Sequence, residues 1–324
     1  MSDLAIGIDL GGTNIRIALV NREGQITVSE EFPTQSDQPG KIIVHAISEQ
    51  IETILVKVSC HRNEIQGIGL ASAGFLSPQE GFIYFSPNLP TLSNFPIVKL
   101  LEEDTGLMTI LENDANAAAI GEHWLGAGKN VNNFIFITLG TGLGSGIILN
   151  GEIWHGTHGF AGEFGHTILF PDGLPCKCGR KGCLEVYCSA SAIVYFIREK
   201  LKQGKPSSLG RERMPLTSRT IFEHASHGDS LACDTFKETG TYLGMALSNV
   251  FNLLDLQMAI IGGKVAEADD LILKPVRDVV ERMAISSRYY PPQVLKSELG
   301  DNAGVLGAAR LVFKNVDCGI KNMN

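Results

Sequence analysis

Two segments of this sequence share one form, in which a strand-like run ends in a glycine-rich turn and leads straight into a second run. In the first segment, Leu4–Leu10 is followed by Gly-Gly-Thr-Asn and then by Ile15–Val20. In the second, residues 133–139 are followed by Gly-Thr-Gly-Leu-Gly-Ser-Gly and then by residues 147–149. Leucine and glycine at the start of each turn, and asparagine after each second run, recur at the same spacing. This echo predicts two related lobes, each beginning with a glycine-turned hairpin.

The composition indicates a globular chain with acidic balance. The 324 residues are 44% hydrophobic and include 36 glycines without a period of three, which excludes a disordered chain and collagen. The net charge is −8 and no long basic run occurs, so we expect neither a nucleic acid nor a membrane as partner. The N-terminus lacks the pattern of a signal peptide, and glycines interrupt the longest apolar stretch, Phe134–Leu149. We therefore expect a cytoplasmic protein.

The glycine turns do not match known nucleotide-binding signatures. Both the Gly-x-Gly-x-x-Gly fingerprint at a strand-to-helix junction and the P-loop are missing from the sequence. A turn between strands can nevertheless present backbone N–H groups to a phosphate, and Thr13, Thr138 and Thr141 add hydroxyl donors. Asp9, just before the first turn, offers a carboxylate to magnesium. A single turn of this kind favours an ordinary hairpin. Two such turns, together with Asp9, favour a phosphate-binding site.

A polar run, Glu112-Asn-Asp-Ala-Asn116, precedes an alanine-rich segment that predicts a helix reaching Trp124. On spacing alone, capping of this helix by Asn113 or Asp114 is the commoner explanation. The functional alternative is that Asp114 stays ionised at the helix start and accepts a proton from a substrate hydroxyl.

A cysteine-rich segment predicts a structural zinc site. Cys176, Cys178 and Cys183 have metal-ligand spacing, and a histidine completes the four ligands of a closed site. His166 is preferred because Pro171-Asp-Gly173 permits a turn back toward the cysteines. The alternatives left open are His155 or His158 as the fourth ligand and Cys188 as a spare thiol.

Two carboxylates flank this segment. Zinc would fix a loop that carries Glu163 and Glu185, whose oxygens are suited to accept hydrogen bonds from hydroxyl groups. The simpler reading is a pair of solvated surface acids. All four metal positions would be filled by the protein, so the zinc would be structural and not catalytic.

The rest of the sequence predicts further loops, helices and strands. Residues 203–219 are polar and broken by proline and glycine, so they are expected to form a surface loop, and the tail after Lys314 is expected to fray. Further elements are predicted as helices at 41–58, 267–284 and 303–313 and as strands at 65–71 and 257–261.

These motifs together resemble the ROK family (repressors, uncharacterised open reading frames and sugar kinases), and within it the bacterial glucokinases are most similar. The resemblance runs from residue 4 to about residue 310. Its most specific part is the cysteine segment together with Glu163-x-Gly-His166. The motifs that carry it are Asp9-Leu-Gly-Gly-Thr-Asn-Ile-Arg16, Glu112–Asn116, Thr138–Gly146, Ala161–His166, Cys176–Glu185, Pro87–Pro90, Leu184–Ala192 and Gly228-Asp-x-x-Ala232.

The resemblance implies an α/β protein with the two-lobed actin-like, ribonuclease-H-like ATPase fold of the sugar kinase superfamily. We expect a small domain at 1–115, completed by the C-terminal helix at about 302–324, and a large domain at 116–301 that carries the zinc loop. The implied activity is transfer of the ATP γ-phosphate, with Mg²⁺, to the 6-hydroxyl of an aldohexose, glucose foremost. Relatives of this kind imply a homodimer or homotetramer.

The resemblance also implies residue roles. Asp114 would be the general base. Sugar hydroxyls would be bound by Asn88, Asn113, Asp114, Glu163, His166 and Glu185. The ATP phosphates would be lined by Gly11, Gly12, Thr13, Thr138, Gly140, Thr141 and Gly142, with Gly262 and Gly263 under the adenosine.

One departure from the family pattern concerns the sugar. Ala71-Ser-Ala-Gly74 stands where many members carry a proline before the glycine, which leaves N-acetylglucosamine, mannose and allose open as alternatives to glucose. A sugar-sensing repressor is a second reading, but the first strand begins near Leu4, so no preceding DNA-binding helix-turn-helix is expected. An ATP-binding scaffold is a third, and the Glu163-x-Gly-His166 motif argues against it.

Overall fold

The computed structural model describes residues 4–211 and 215–321 of the chain. Strands and helices alternate as expected for an α/β protein. The strands are β1 (Leu4–Leu10), β2 (Asn14–Asn21), β3 (Ile26–Pro33), β4 (Ile65–Ser72), β5 (Phe75–Ser77), β6 (Phe82–Phe85), β7 (Thr109–Asn113), β8 (Phe134–Leu139), β9 (Leu143–Leu149), β10 (Glu152–Ile153), β11 (Met258–Gly262) and β12 (Gln293–Lys296). The α-helices are α1 (Gly40–Lys57), α2 (Ile97–Thr105), α3 (Asp114–Leu125), α4 (Glu185–Cys188), α5 (Ala190–Lys202), α6 (Ser218–Ser226), α7 (Ser230–Leu254), α8 (Asp270–Met283) and α9 (Ala303–Lys321).

The chain divides into two compact units. Unit 1 comprises residues 1–130, 152–161 and 301–324, and unit 2 comprises 131–151 and 162–300. The C-terminal helix therefore lies with the N-terminal residues, as in the expected domain scheme. Unit 1 continues past residue 115, however, because α3 packs along α9. The boundary at 115 thus differs from the observed units by one helix and the short segment 152–161.

The sheet of unit 1 has the order β3-β2-β1-β4-β7. Its first hairpin is antiparallel, with Leu10 opposite Ile15, so the first glycine turn does join two strands. β4 and β7 run parallel to β1. Because the carboxyl ends of parallel strands meet at one edge, Asp9, the next-to-last residue of β1, and Asn113, the last residue of β7, lie at the same edge of the sheet.

Helix α9 packs closely on this sheet through glycines. A Cβ atom at Gly7 would lie 2.0 Å from the carbonyl oxygen of Val305, and one at Gly69 would lie 1.9 Å from that of Ala308. Only glycine permits such an approach of helix backbone to strand. α1 covers the opposite face of the sheet, where its apolar stripe of Ile43, Ile47 and Ile51, each at most 2% exposed, packs in one cluster with the β1 side chains that alternate with Gly7.

The second sheet repeats this topology in the order β10-β9-β8-β11-β12. β8 and β9 form an antiparallel hairpin around the second glycine turn, and β11 runs parallel to β8 with Gly262 beside Thr138. In each sheet, three strands joined by turns are followed along the chain by two parallel strands. The weak sequence echo thus has a counterpart in the topology, which is what an internal duplication would give.

Several local predictions need correction or limits. The tail after Lys314 does not fray at once, because α9 continues to Lys321. The segment 203–219 is not wholly a loop, since Ser208–Arg211 form a 3₁₀ turn and Ser218 begins α6, while residues 212–214 lie outside the described part. No helix within the described residues has the length and apolar character needed to cross a membrane.

Candidate functional site

The first glycine turn meets a predicted sugar-binding residue within unit 1. The Gly11 N–H donates to the carbonyl of Asn14 at 3.1 Å, which closes the turn and leaves the amides of Gly12 and Thr13 at its tip. A Cβ atom at Gly12 would lie 2.9 Å from Cβ of Asn88. The structure therefore places the predicted phosphate turn directly against Asn88. The hydroxyl of Thr34, which sequence reasoning missed, donates to the Gly11 carbonyl at 2.7 Å and braces the turn.

Two carboxylates lie near this turn at the edge of the same sheet. Burial raises the pKa of Asp9 to about 7, the charge of Asp114 raises it as well, and Arg16 lowers it. Burial also raises the pKa of Asp114, while the hydrogen bond from the Ala115 N–H lowers it. A pair of partly buried carboxyl groups with raised pKa values is suited to accept a proton or to bind a cation.

The polar run before α3 caps the helix. The Asn113 side chain is the N-cap, accepting from the amides of Ala115 and Asn116 at 3.0 and 3.2 Å. The Asp114 Oδ1 atom also accepts from the Ala115 N–H, at 2.9 Å. Asn113 therefore caps the helix, whereas Asp114, the first helical residue, has its carboxylate held by the Ala115 N–H.

Glu112, the residue before Asn113, has a buried carboxylate that accepts three hydrogen bonds. Its side chain is 3% exposed. Oε1 accepts from the Asn113 N–H at 2.9 Å and from the Asn116 amide at 3.0 Å. Oε2 accepts from Nε2 of His155 at 2.7 Å. His155 is therefore the partner of Glu112, and the histidine in the cysteine cluster is His166.

The second glycine turn, in unit 2, is also closed by a backbone hydrogen bond, but over one residue fewer than the first. The Gly140 N–H donates to the Gly142 carbonyl at 3.0 Å. The backbone N–H of Leu143, the first residue of β9, donates to Oε2 of Glu185 at 3.0 Å. A phosphate would thus be met by the amides of Thr141 and Gly142. Glu185, which the resemblance assigns to the sugar, is in contact with this turn as well.

The predicted adenosine glycines lie beside the same turn. β11 ends at Gly262, opposite Thr138, and Gly263 follows with a φ of 81°. A Cβ atom at Gly263 would lie 2.5 Å from the carbonyl of Leu139, so a larger residue would collide with the end of β8. Close backbone approach thus explains why glycine occupies this position.

The cysteine segment forms a compact ligand cluster in unit 2. The ligand atoms of His166, Cys176, Cys178 and Cys183 all lie within 4.8 Å of one another. Two of the separations are 3.8 Å, from Cys176 Sγ to His166 Nδ1, and 3.6 Å, from Cys178 Sγ to Cys183 Sγ. Sulfur ligands about 2.3 Å from a tetrahedral zinc lie about 3.8 Å apart, so the cluster fits this ion.

Local backbone structure holds the cluster together. The Gly173 N–H donates to the Phe170 carbonyl at 2.9 Å, which forms the turn predicted between His166 and the cysteines. The backbone N–H of Arg180 lowers the pKa of Cys178 to about 6, which favours the thiolate that binds metal. The Sγ atom of Cys188 instead contacts the carbonyl of Thr239 at 3.6 Å and stays outside the cluster.

His166 presents different atoms to two predicted roles. Its Nδ1 atom faces the cysteines, while Nε2 lies 3.9 Å from Oε2 of Glu163. These residues bound a short 3₁₀ turn, Phe164–His166, that follows Glu163 directly. A metal on Nδ1 would fix the ring, so that Nε2 and the Glu163 carboxylate form one polar face.

Arg16 is a further residue to which the sequence assigned no role. Its guanidinium pairs with Glu31, with Nη2 2.6 Å from Oε2, and donates to the carbonyl of Asp301. These contacts tie β2 and β3 to the residues that lead into α9. The contact with Asp301 spans most of the chain, so no local pattern could have identified it.

The predicted site residues thus fall into two groups, one in each unit. Within unit 1 the structure brings together Asp9, Gly11, Gly12, Thr13, Asn88, Asn113 and Asp114. Within unit 2 it brings together Thr138, Gly140, Thr141, Gly142, Glu185, Gly262 and Gly263 around the second turn, and Glu163 and His166 beside the cysteine cluster.

Comparison with known proteins identifies the family of the chain. The glucokinase of Halalkalibacterium halodurans is 38% identical over 311 residues, which cover 95% of this chain and 94% of that protein. The ROK family glucokinase of Streptomyces griseus, solved in complex with glucose and AMPPNP, is 35% identical, covers 95% of this chain and 98% of its own, and superposes with a TM-score of 0.82. The N-acetylglucosamine repressor of Escherichia coli O6:H1 is 30% identical over 98% of this chain and 77% of its own. The sequence profile of the ROK family matches residues 5–315, and this chain belongs to the ROK family.

Proposed function

We propose that this protein is an ATP-dependent hexose kinase that transfers a phosphoryl group to the 6-hydroxyl of an aldohexose, with glucose as the preferred substrate. The observation that carries the proposal is the placement of Asp114. It begins α3 just after the capping Asn113, in a chain that matches glucokinases over 95% of its length. Its carboxylate is oriented by the Ala115 amide and has a raised pKa.

In the proposed reaction Asp114 is the general base. The 6-hydroxyl oxygen forms a bond to the γ-phosphorus of ATP, the bond from that phosphorus to the bridging oxygen of ADP breaks, and the hydroxyl proton passes to Asp114. Burial raises the pKa of this carboxyl toward the working pH, which makes it a better acceptor while a hydrogen bond keeps it in place. Asn113, Asn88, Glu163, His166 and Glu185 are proposed to hold the other hydroxyls.

The glycine turns are proposed to position the phosphates. Each turn is closed by a backbone hydrogen bond and carries successive amides, and backbone N–H groups in a turn can bind an anion. Asp9 is suited to hold Mg²⁺, directly or through water, because it offers hard oxygen ligands beside a second carboxylate. Bound Mg²⁺ would offset the charge of the transferring phosphoryl group.

The cysteine cluster is proposed to hold a structural zinc ion. Its four ligands fill a tetrahedral site and leave no position for substrate. The role of His166 is then to present Nε2, next to Glu163, to a sugar hydroxyl.

A hexose panel tests this proposal. Initial rates with ATP and Mg²⁺ are to be compared as kcat/KM for glucose, mannose, N-acetylglucosamine and allose, and with polyphosphate as an alternative donor. Glucose with ATP is expected to give the largest value. A larger value for another hexose would change the substrate and keep the reaction, whereas no phosphorylated product with any sugar would refute the function.

The similarity to a repressor favours one alternative, a sugar-sensing protein without turnover. Such a protein would bind hexose but would form no sugar phosphate. Calorimetric sugar binding together with product analysis separates the two, because a kinase must consume ATP in step with hexose.

Cellular location and assembly are also part of the proposal. All seven cysteines lie in the described residues and are free, as is typical of the reducing cytoplasm. We propose a homodimer or homotetramer, for which the exposed apolar side chains of Leu253, Ile285, Tyr289 and Tyr290 offer a contact area. Light scattering of the purified protein gives the assembly size directly.

A further inference from the structure

His155 and Glu112 form a hydrogen-bonded pair that the roles above leave unexplained. The Glu112 side chain is 3% exposed, and Nε2 of His155 lies 2.7 Å from its Oε2 atom. The His155 side chain is 36% exposed and carries a charge only when protonated, so the pair is a weak source of stability. A buried carboxylate held by this imidazole next to a proposed base therefore calls for another explanation.

The position of Glu112 supplies one. Through Oε1 it accepts hydrogen bonds from the Asn113 N–H and the Asn116 side chain, which lie on either side of Asp114. One carboxylate oxygen of Glu112 thus accepts hydrogen bonds from the first turn of α3, and the other accepts one from His155. Rotation of the Glu112 side chain would release the Asn113 peptide, and with it the cap and the backbone that orients Asp114.

His155 is itself held in place. Its carbonyl accepts from the Ala161 N–H at 3.0 Å, which closes the loop that follows β10. The Phe160 ring packs on Phe75, with centroids 5.7 Å apart. The imidazole is therefore presented to Glu112 from a braced loop and not from a free surface.

We propose that His155 is a positioning residue, which acts through Glu112 to hold Asn113 and Asp114 in the orientation that phosphoryl transfer requires. It does not contact the reacting atoms. The inference rests on the proposed function for its kinetic consequence, but the coupling of His155 to the α3 start is a structural statement of its own. A displacement of about 1 Å in a catalytic group can lower a rate about a hundredfold, so a small shift of this turn is enough.

The test compares His155→Ala with His155→Gln, whose amide can still donate to Glu112, and with the control His158→Gln in the same loop, at an exposed position. His155→Ala is expected to lower kcat about 10- to 100-fold with a smaller change in hexose KM, and His155→Gln is expected to recover most of that loss. Hydrogen exchange at the Ala115 and Asn116 amides should accelerate in His155→Ala and stay as in the wild type in the control. Zinc content should be unchanged in all variants.

Wild-type kcat together with wild-type exchange in His155→Ala would overturn the inference, as would loss of zinc from that variant. If the wild type phosphorylates no hexose, the proposed function fails, while the exchange measurement still decides the coupling. Should His155→Ala fail to fold, His155→Phe keeps a ring of similar size and removes the donor to Glu112. It should show the same loss of kcat and the same faster exchange at Ala115 and Asn116, and wild-type values for both would overturn the inference.

Discussion

The backbone N–H of Leu143 donates a hydrogen bond to Oε2 of Glu185 at 3.0 Å. Leu143 follows the second glycine turn, and Glu185 follows the last cysteine of the metal cluster by two residues. The proposed phosphate turn and the proposed sugar-binding carboxylate are therefore joined directly within unit 2. We therefore expect a substitution in the turn to displace the Glu185 carboxylate, and a substitution of Glu185 to displace the turn.

Gly142→Ala is predicted to weaken hexose binding through this contact. The new Cβ atom would lie 2.6 Å from Oε2 of Glu185, so the carboxylate must move. A loss of about 1.4 kcal/mol of sugar binding would raise the hexose KM about tenfold. Gly140→Ala is the matched variant, because its Cβ atom meets nothing within 4 Å. It should leave hexose KM unchanged even if it alters ATP KM, and equal hexose KM shifts in both variants would contradict the proposed role of Glu185.

Cys178→Ser is predicted to lose the metal and to weaken sugar binding at the same time. Metal analysis of the wild type should find about one zinc per chain, as a single four-ligand site requires. Cys318→Ser, at an exposed position in α9, should keep the zinc. A zinc-free Cys178→Ser enzyme with unchanged hexose KM would show that the metal does not support His166 and Glu163.

Gly307→Ala is predicted to destabilise unit 1. Its Cβ atom would lie 1.6 Å from the carbonyl oxygen of Ala117, in the contact between α9 and α3. Overpacking of this kind costs about 1–3 kcal/mol in the free energy of unfolding. Gly319→Ala in the same helix meets nothing within 4 Å and should be neutral or slightly stabilising. Denaturant unfolding of both variants checks the difference, and similar stability for the two would be inconsistent with the packing.

Asp9→Asn is predicted to make the protein more stable at alkaline pH and less active. The native pKa of Asp9 is raised to about 7 from an ordinary value of 3.8, so the native state holds a proton that the unfolded state releases. Asp9 therefore lowers the free energy of unfolding as pH rises from about 4 to about 7, by on the order of 2–4 kcal/mol. An asparagine does not ionise, so Asp9→Asn should lack this part of the fall in the free energy of unfolding. Unfolding curves of both proteins at pH 5 and at pH 8 measure it.

The exposed Asp37→Asn variant is the control for that measurement. It should show the same pH slope of stability as the wild type. If Asp9→Asn also keeps the wild-type slope, Asp9 is not the buried acid described above.

Local sequence patterns predicted the parts of the site that local chemistry determines. The glycine turns, the cap at Asn113 and the His166–Cys183 ligand set all arise from residues close together in the chain, and the structure has each of them in place. The roles of Asn88 and Glu163 stay proposals, since they came from family resemblance.

Contacts between distant residues were beyond such patterns. His155 lies near the cysteines in sequence and is on that ground an alternative to His166 as fourth ligand, yet it pairs with Glu112, 43 residues earlier. The contact between Glu185 and Leu143 spans 42 residues, and that between Arg16 and Asp301 spans 285. Such pairs depend on how strands and helices are brought together, which side-chain periodicity does not encode.

The most direct test of the central claim is the rate of Asp114→Asn. Asparagine keeps the Oδ1 acceptor for the Ala115 amide, so the variant should fold and bind hexose, but it offers no carboxylate to take the proton. With ATP, Mg²⁺ and glucose, kcat is predicted to fall about 10²- to 10⁴-fold. A folded Asp114→Asn protein that turns over at the wild-type rate would contradict the assignment of Asp114 as the general base.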